Sequence, residues 1–252
     1  MIDFLNSERP LFLSSIQVPK GLRVLMLAPH PDDFDAIGIT MRYLRDNGNE
    51  IFVAVLSSGA SGIEGRFLSY HPNKSKPEIR EDEQRESCKF FGLSENHLTF
   101  LRLEEDPQGQ IKDDLHTLEM VRDTFSNIRP NWVFLPHGHD TNLGHERSFS
   151  IFTKIANETE YPLTAFLNRD PKTIATRSDM YAVFSEKEME WKRQLLLFHQ
   201  SQHQRNLNTR GHGFDDRILG FNRRIALEEL DSAGYAEAFE IRQFNSPHSK
   251  CL

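Results

Sequence analysis

The sequence predicts an α/β fold, with a Rossmann-like, mostly parallel sheet and helices on both faces. Short apolar runs alternate with amphipathic segments along the chain, which is the order of repeated βαβ units. The chain has 252 residues and a hydrophobic content of 38%. Both values suit a single domain, which we expect to span residues 1–252. Its last part, 205–252, is expected to be a carboxyl-terminal elaboration of that domain.

The predicted elements follow one another in order. The first strand is the apolar run 22–28, bounded by Gly21 and Pro29, and the first helix is 36–45. Runs rich in branched and aromatic residues predict further strands at 51–56, 98–103, 132–135 and 180–184. Start and stop signals predict further helices at 78–91, 113–128, 144–157 and 186–204. For the tail, 209–244, we expect a Gly-rich loop and one more helix, packed onto the rim of the sheet.

Charge, hydropathy and cysteine content exclude several classes of partner. The net charge of −7 and the pI near 5.9 argue against binding to nucleic acid. No apolar run reaches roughly 18 residues, so no membrane span is expected, and residues 1–20 do not have the pattern of a secretory signal. Cys88 and Cys251 lie far apart in sequence, which favours a reducing cytoplasm over a disulfide framework. The expected partner is a small molecule, and a homo-oligomer stays open.

A cluster of polar residues follows the first predicted strand: Pro29-His30-Pro31-Asp32-Asp33-Phe34-Asp35. Open α/β sheets bind their ligands at the carboxyl ends of the strands. Imidazole and carboxylate groups together suit zinc, and a carboxylate that does not bind the metal can act as a base. The alternative is an acidic N-cap for the next helix, but a cap uses one such residue rather than a His and three Asp.

A second cluster follows the fourth predicted strand and contains His137, His139, Asp140, Asn142 and His145. In a parallel sheet this turn lies at the same edge as the first cluster, so the two can converge. A catalytic zinc ion takes three protein ligands and keeps one position open. His30, Asp33 and one of the later histidines supply such a set. Taken alone, the second cluster also fits a polar surface turn.

With these motifs the chain resembles the PIG-L, or LmbE-like, zinc-dependent N-acetylglucosamine deacetylases. The first motif of that family, Ala-His-Pro-Asp-Asp-Glu, appears here at 29–34, and the slot of its second motif, His-Pro-Asp-His, is 142–145. Weaker matches are an Arg-x-x-Glu helix start at 80–83, an Asp after the third strand at Asp106, and two later motifs at 199–202 and 236–239. The resemblance runs from about residue 22 to residue 239.

The resemblance implies a metal-dependent hydrolase. It assigns His30, Asp33 and His145 as ligands of zinc, with Fe(II) or another divalent metal as the alternative, because two His and a carboxylate suit both. It assigns Asp32 as the general base. The implied reaction removes the acetyl group from an N-acetylglucosamine-type sugar conjugate. Two alternatives stay open: a zinc amidase that acts on a non-sugar acyl amine, and a non-catalytic binding member of the family.

Among the departures from the family motifs, three replace polar side chains that could act at the site: Phe34 replaces a Glu, Asn142 a His, and Gly144 an Asp. We expect Asp35 to give the site the support that the Glu of the family motif would provide. In the family, the Asp at the position of Gly144 could form a hydrogen bond with the metal-binding His. We expect Asp140 to take its place. Asn142 can donate a hydrogen bond but cannot deliver a proton.

The proton needed by the leaving amine is therefore expected from His137 or His139, since an imidazolium can donate one near neutral pH. Arg80 and Asp106 are predicted to bind substrate. The alternatives are an exposed charge for Arg80 and a simple turn for Asp106. His199 and Gln202 are expected to have a structural role.

Overall fold

A computed structural model describes residues 8–245, and within this range eight strands form one sheet. The strands are β1 (Leu11–Phe12), β2 (Arg23–Ala28), β3 (Glu50–Val55), β4 (Leu98–Phe100), β5 (Trp132–Pro136), β6 (Leu163–Asn168), β7 (Met180–Phe184) and β8 (Tyr235–Phe244). The helices are α1 (Gly38–Asp46), α2 (Gly65–Ser69), α3 (Lys76–Phe91), α4 (Leu115–Ile128), α5 (Leu143–Glu158), α6 (Glu186–Leu197), α7 (Gln200–Arg210) and α8 (Phe214–Leu230).

The order of strands in the sheet is β1-β7-β8-β6-β5-β2-β3-β4. Neighbouring strands are parallel except at β8, which is antiparallel to both β6 and β7. From β2 the chain proceeds outward through β3 and β4, and then returns to place β5 on the other side of β2. This reversal opens a crevice beyond the carboxyl ends of β2 and β5, the usual ligand position in such sheets.

β2 is buried on both faces, as its unbroken apolar sequence requires in a parallel sheet. Val24, Met26 and Ala28 belong to the apolar core on one face, and Leu25 and Leu27 to the core on the other. Helices α1, α3 and α6 contribute to the first core, and α4 and α5 to the second. The predicted single α/β domain with helices on both faces is confirmed.

The structure corrects two expectations for the carboxyl-terminal part. The predicted helix 186–204 is interrupted at Phe198 and His199, and His199 has non-helical backbone angles while its side chain is fully buried. The tail contains the expected helix, α8, but also β8, which lies inside the sheet rather than on its rim. Glu237 and Glu240 interrupt the apolar pattern of β8, which is why the sequence does not predict this strand; both are buried and paired.

No helix among residues 8–245 has both the length and the apolar content to cross a membrane. Cys88 is a free, buried thiol, and burial raises its pKa. Cys251 lies outside the described residues.

Candidate metal centre and active site

The two polar clusters of the sequence meet at the crevice beside β2 and β5. His145 Nε2 lies 3.4 Å from Asp33 Oδ1, and His30 Nδ1 lies 3.4 Å from Asp33 Oδ2. The two imidazole rings are 5.6 Å apart between centroids. One ligand atom from each of the three residues falls within 4.8 Å of the others. The structure thus brings together the three residues predicted to bind a metal.

The loop after β2 is held in an unusual conformation. Asp32 has φ = 106°, a region that residues other than glycine adopt rarely. Its backbone N–H donates to Gln84 Oε1 at 2.9 Å, and the backbone N–H of His30 donates to Asp33 Oδ2 at 2.8 Å. The first bond offsets the backbone strain at Asp32, and the second fixes the position of the Asp33 side chain.

Asp35 supports this loop from below. Its side chain is fully buried, accepts a hydrogen bond from Gln84 Nε2 at 2.9 Å, and lies 2.7 Å from His199 Nε2. Burial alone would lower the pKa of His199, but the carboxylate of Asp35 raises it. The structural role expected for His199 therefore involves Asp35: the pair orients Gln84, and Gln84 in turn binds the backbone of Asp32.

Carboxylates surround His145 on both sides of its ring. Its Nδ1 lies 3.0 Å from Asp140 Oδ2 and 3.5 Å from Asp170 Oδ2, while Nε2 faces Asp33. Burial works to lower the pKa of His145, but Asp33 and Asp140 raise it to about 10. The three carboxylates around the His145 imidazole make this position favourable for a positive charge. Two His and one carboxylate are also a fitting donor set for a divalent cation, so these residues fit the implied metal.

Asp140 occupies the place expected for a residue that orients the metal-binding His. Asp140 Oδ2 lies within hydrogen-bond distance of Nδ1 of His145, so a metal bound to the neutral imidazole would be held by Nε2, the nitrogen that is directed at Asp33. Asp140 Oδ1 also accepts a hydrogen bond of 2.6 Å from the backbone N–H of Asn142. One carboxylate therefore shapes the turn and orients His145.

Gly144 has a steric explanation. A Cβ at this position would lie 3.0 Å from two atoms of the His30 ring and 3.0 Å from Gln110 Oε1, closer than most real contacts. The family motif has an Asp at this position. With Gly144 instead, the first turn of α5 can lie close to His30.

Arg80 lies beside Asp32 and is almost fully buried. Its guanidinium donates to Asp32 Oδ2 at 2.8 Å and to the carbonyl oxygen of Pro31, and it lies 3.4 Å from Glu83. Arg80 also lines the cavity. These contacts show a residue that positions Asp32; its predicted binding of substrate stays a prediction.

A cavity of about 530 Å³ opens above the His30, Asp33 and His145 group. Asp32 and Asn142 line it as well. The side-chain oxygen of Asn142 caps α5 by accepting from the backbone N–H of Gly144 at 3.0 Å. Because the cap uses the side-chain oxygen of Asn142, the side-chain NH₂ group is the part of this residue that can donate a hydrogen bond in the cavity.

Three residues predicted to act in catalysis or in substrate binding, namely His137, His139 and Asp106, lie outside the lining of this cavity. His137 is buried, with Nε2 3.2 Å from Glu240 Oε2 and Nδ1 accepting from the backbone N–H of His139. His139 is exposed, and neither His lines the cavity. Asp106 accepts hydrogen bonds from the backbone of Gln110 and from Arg147, and it also does not line the cavity. Their contacts brace loops, which corrects the placement expected for all three.

Several residues that line the cavity are not predicted from the sequence. Asp170 follows β6, and Lys172, Arg210 and Arg217 come from the loop after β6 and from α7 and α8. The signal for Asp170 was available, because it follows an apolar run just as Asp33 and His145 do, but β6 was not recognised as a strand. The three cations carried no local signal, since exposed Lys and Arg are common on helices and loops.

Several solved structures share this fold. The N,N'-diacetylchitobiose deacetylase from Pyrococcus horikoshii is 18% identical, with a TM-score of 0.70 over 87% of this chain and 83% of that chain. Teicoplanin deacetylase Orf2, in a zinc-inhibited form, is 17% identical, with a TM-score of 0.64 over 89% and 99%. GalB, the 4-carboxy-2-hydroxymuconate hydratase from Pseudomonas putida KT2440, is 18% identical, with a TM-score of 0.64 over 88% and 96%. The fold therefore hosts more than one reaction.

The comparison by sequence identifies a family, whereas the shared fold alone does not. No curated protein matches this chain. Residues 25–156 match the family PIG-L, described as GlcNAc-PI de-N-acetylase. The matched range runs from within β2 to within α5 and includes the His30, Asp33 and His145 group. This match covers more than half of the chain and confirms the resemblance inferred from the motifs: the protein belongs to the PIG-L family.

Proposed function

We propose that this protein is a metal-dependent deacetylase that removes the acetyl group from an N-acetylglucosamine-type sugar conjugate. The observation that carries the proposal is the His30, Asp33 and His145 group with Asp32 beside it, on the floor of a cavity large enough for a sugar. Membership of the PIG-L family and the two deacetylases of the same fold support the reaction. A cytoplasmic location stays a prediction.

His30, Asp33 and His145 would hold the metal, with zinc as our first choice. A divalent ion in such a site supplies a Lewis acid and lowers the pKa of water to about 7. Asp32 lies next in sequence to Asp33, and Arg80 fixes its carboxylate. We infer that Asp32 accepts the proton of the water that attacks the acetamide carbonyl.

Asn142 provides a hydrogen-bond donor at the same cavity. Its carbonyl end is used by the helix cap, so its NH₂ group is the end that can donate to the oxygen of the acetamide as negative charge develops there. A preorganised donor of this kind contributes about 10²–10³-fold in rate.

Protonation of the leaving amine falls to Asp32 as well. His137 and His139 do not line the cavity, whereas Asp32 has just received a proton from the water. Returning that proton to the amine nitrogen completes the reaction and restores the carboxylate, so that one residue acts first as base and then as acid.

An acetate-release assay on purified protein tests this proposal. The panel contains N-acetylglucosamine glycosides and non-sugar N-acetyl amines, each assayed before and after chelation and after zinc is restored. Zinc-dependent release from the sugars supports the proposal. Release from the non-sugar amines alone would instead indicate an amidase, and no release from any compound by metal-loaded protein would indicate a binding protein.

A further inference from the structure

Two of the weaker sequence motifs meet beside the cavity, and the metal centre alone does not explain them. One is the Arg-x-x-Glu segment 80–83 of α3, and the other is the segment 199–202 at the start of α7. Glu83 Oε1 accepts a hydrogen bond of 2.6 Å from the backbone N–H of Ser201, and Glu83 Oε2 accepts one of 2.7 Å from the Ser201 hydroxyl. The two residues are 118 positions apart in sequence, so the fold alone joins the motifs.

Glu83 caps α7 from another helix. The N-cap residue of α7, His199, forms no side-chain capping bond, and the first turn of α7 contains no acidic residue. The free N–H groups and the positive end of the helix dipole favour a carboxylate at this position. Ser201 is 1% exposed and the side chain of Glu83 is 10% exposed, so solvent hardly competes for these bonds. Glu83 therefore helps to fix where α7 begins.

The same carboxylate helps to orient Arg80. Among residues 8–245, the guanidinium of Arg80 has three hydrogen-bond partners, which are the carboxylates of Asp32 and Glu83 and the carbonyl oxygen of Pro31. Nη1 faces Glu83 at 3.4 Å, while Nη2 donates to Asp32 and Pro31. Loss of the Glu83 charge would leave one side of the guanidinium less restrained, and Asp32 would lose part of its support.

Helix α7 forms one wall of the cavity. Gln202 comes directly after Ser201, lines the cavity, and donates to the carbonyl oxygen of Gly62 at 3.3 Å. A Cβ at Gly62 would lie 3.0 Å from Gln202 Nε2, so the helix and the loop after β3 are in close contact. Further residues of α7 on the same wall are Arg205, Asn206, Thr209 and Arg210. A shift at the start of α7 would therefore move residues that can contact a substrate.

The start of α7 is joined to the loop of Asp32 by two routes. The direct route is His199, whose Nε2 lies 2.7 Å from Asp35 Oδ2. The indirect route runs from Ser201 through Glu83 and Arg80. Only the second route reaches the side-chain carboxylate of Asp32. It connects the wall of the cavity to the residue that we infer to be the base.

We propose that Glu83 is a positioning residue that couples the base to the wall of the cavity. Through Arg80 it restrains the carboxylate of Asp32, and through Ser201 it sets the position of α7. Neither Glu83 nor Ser201 lines the cavity, so both act through their neighbours. The inference rests on the proposed deacetylase function for the reaction, but the order of α7 can be measured without substrate.

Kinetics of the zinc-loaded protein on the methyl glycoside of N-acetylglucosamine separate the two connections. Ser201→Ala removes only the hydroxyl, so we expect KM to rise about three- to tenfold while kcat stays within about twofold of the wild type. Glu83→Gln keeps the size but removes the charge. It should raise KM at least as much and lower kcat by about tenfold, because small displacements of a reacting group are costly. Glu86→Gln, at an exposed position of α3, should change neither value.

A double variant and hydrogen exchange distinguish positioning from stability alone. Adding Ser201→Ala to Glu83→Gln should raise KM little further, because the hydroxyl acts through the carboxylate. In both single variants, the amides of 200–210 should exchange faster than in the wild type, while those of α5 should not change. Metal analysis should show full occupancy throughout.

Three results would overturn the proposal. The first is wild-type kcat and KM in both variants with only a lower free energy of unfolding, which would leave Glu83 a structural role. The second is an effect of Glu83→Gln on kcat while Ser201→Ala changes neither KM nor exchange in α7. The third is loss of metal in either variant, because the effect would then pass through the metal. If Glu83→Gln does not fold, KM and exchange in Ser201→Ala decide the matter.

Failure of this proposal is distinguishable from failure of the deacetylase function. If the wild type releases no acetate, but Ser201→Ala shows faster exchange in α7 and weaker calorimetric binding of the methyl glycoside, the Glu83–Ser201 connection stands and the deacetylase function is wrong. If the wild type releases acetate, and Ser201→Ala changes neither KM nor exchange, the deacetylase function stands and the connection is wrong.

Discussion

The guanidinium of Arg80 donates a hydrogen bond of 2.8 Å to the carboxylate of Asp32, and the arginine side chain is only 2% exposed. Arg80 lies on α3, so the orientation of Asp32 depends on an element other than its own loop. Gln84, on the same helix, binds the backbone N–H of Asp32. Helix α3 therefore fixes both the backbone and the side chain of the residue that we propose as the base.

Asp32→Asn should reduce kcat strongly and leave the metal in place. Asparagine has the size of aspartate and can still accept a hydrogen bond from Arg80, but it cannot accept a proton. A loss of about 10²–10⁴-fold is typical for removal of a general base. Steady-state kinetics and metal analysis measure the two effects. Asp82→Asn, at a half-exposed position of α3, is the control. A loss below about tenfold in Asp32→Asn would assign the proton transfer to another group.

Arg80→Gln should lower the free energy of unfolding as well as activity. It leaves Asp32 and Glu83, only 15% and 10% exposed, without their cation. Breaking a buried pair by removing one partner costs about 3–5 kcal/mol. Urea unfolding measures the change. Arg85→Gln removes a half-exposed arginine of the same helix and should cost under about 1 kcal/mol. Equal costs for the two variants would contradict the buried ion pair.

Much of the fold and the metal-binding group is readable from local sequence. β2 and β5 are short, apolar and bounded by Gly or Pro, and each is followed by polar residues at its carboxyl end. The rule that parallel strands end at one edge then places His30 and His145 together. Packing does not enter here, because the direction of the strands alone determines which edge of the sheet the loops share.

The rest depends on contacts between distant residues. Asp35 looks like one more carboxylate of the first motif, but its partners, Gln84 and His199, come from two other helices. His137 looks like one more histidine of the second motif, but Glu240 on an unrecognised strand binds its ring. Local spacing does not distinguish a histidine that faces a cavity from one that braces a loop.

His30→Ala and His145→Ala should each abolish stoichiometric metal binding and activity together. Each variant removes one of the three donors that converge on one position, and a site with two remaining donors binds zinc weakly. Elemental analysis after dialysis measures the metal retained. His116→Ala, an exposed His on α4, should retain the metal of the wild type. Full occupancy in both His30→Ala and His145→Ala would place the metal elsewhere.

Asp140→Asn should weaken metal binding without removing a ligand. With a metal bound, the carboxylate of Asp140 would hold the proton of His145 on Nδ1, which leaves Nε2 for the metal. Loss of such a partner typically costs about 10–100-fold in metal affinity. Competition with a chromogenic chelator measures the affinity. Asp113→Asn, which affects an exposed pair with Lys154, is the control. Affinity equal to that of the wild type would show that Asp140 only shapes the turn.

The Asp35–His199 pair should make the free energy of unfolding fall as pH rises above the unfolded pKa of His, about 6.5. The pKa of His199 is raised in the folded protein, against burial, by the Asp35 carboxylate. Its protonation therefore stabilises the fold fully below the unfolded value of about 6.5, and this contribution is lost as pH rises from there through the raised value. In metal-free protein, His199→Gln should lose less stability than the wild type over this interval. The raised pKa of His145 contributes to both proteins alike, so the difference between their slopes isolates His199.

Urea unfolding at a series of pH values measures the slopes, and His116→Gln should follow the wild type. If the slopes of His199→Gln and the wild type coincide, His199 is neutral in the folded protein and holds Asp35 by a hydrogen bond alone.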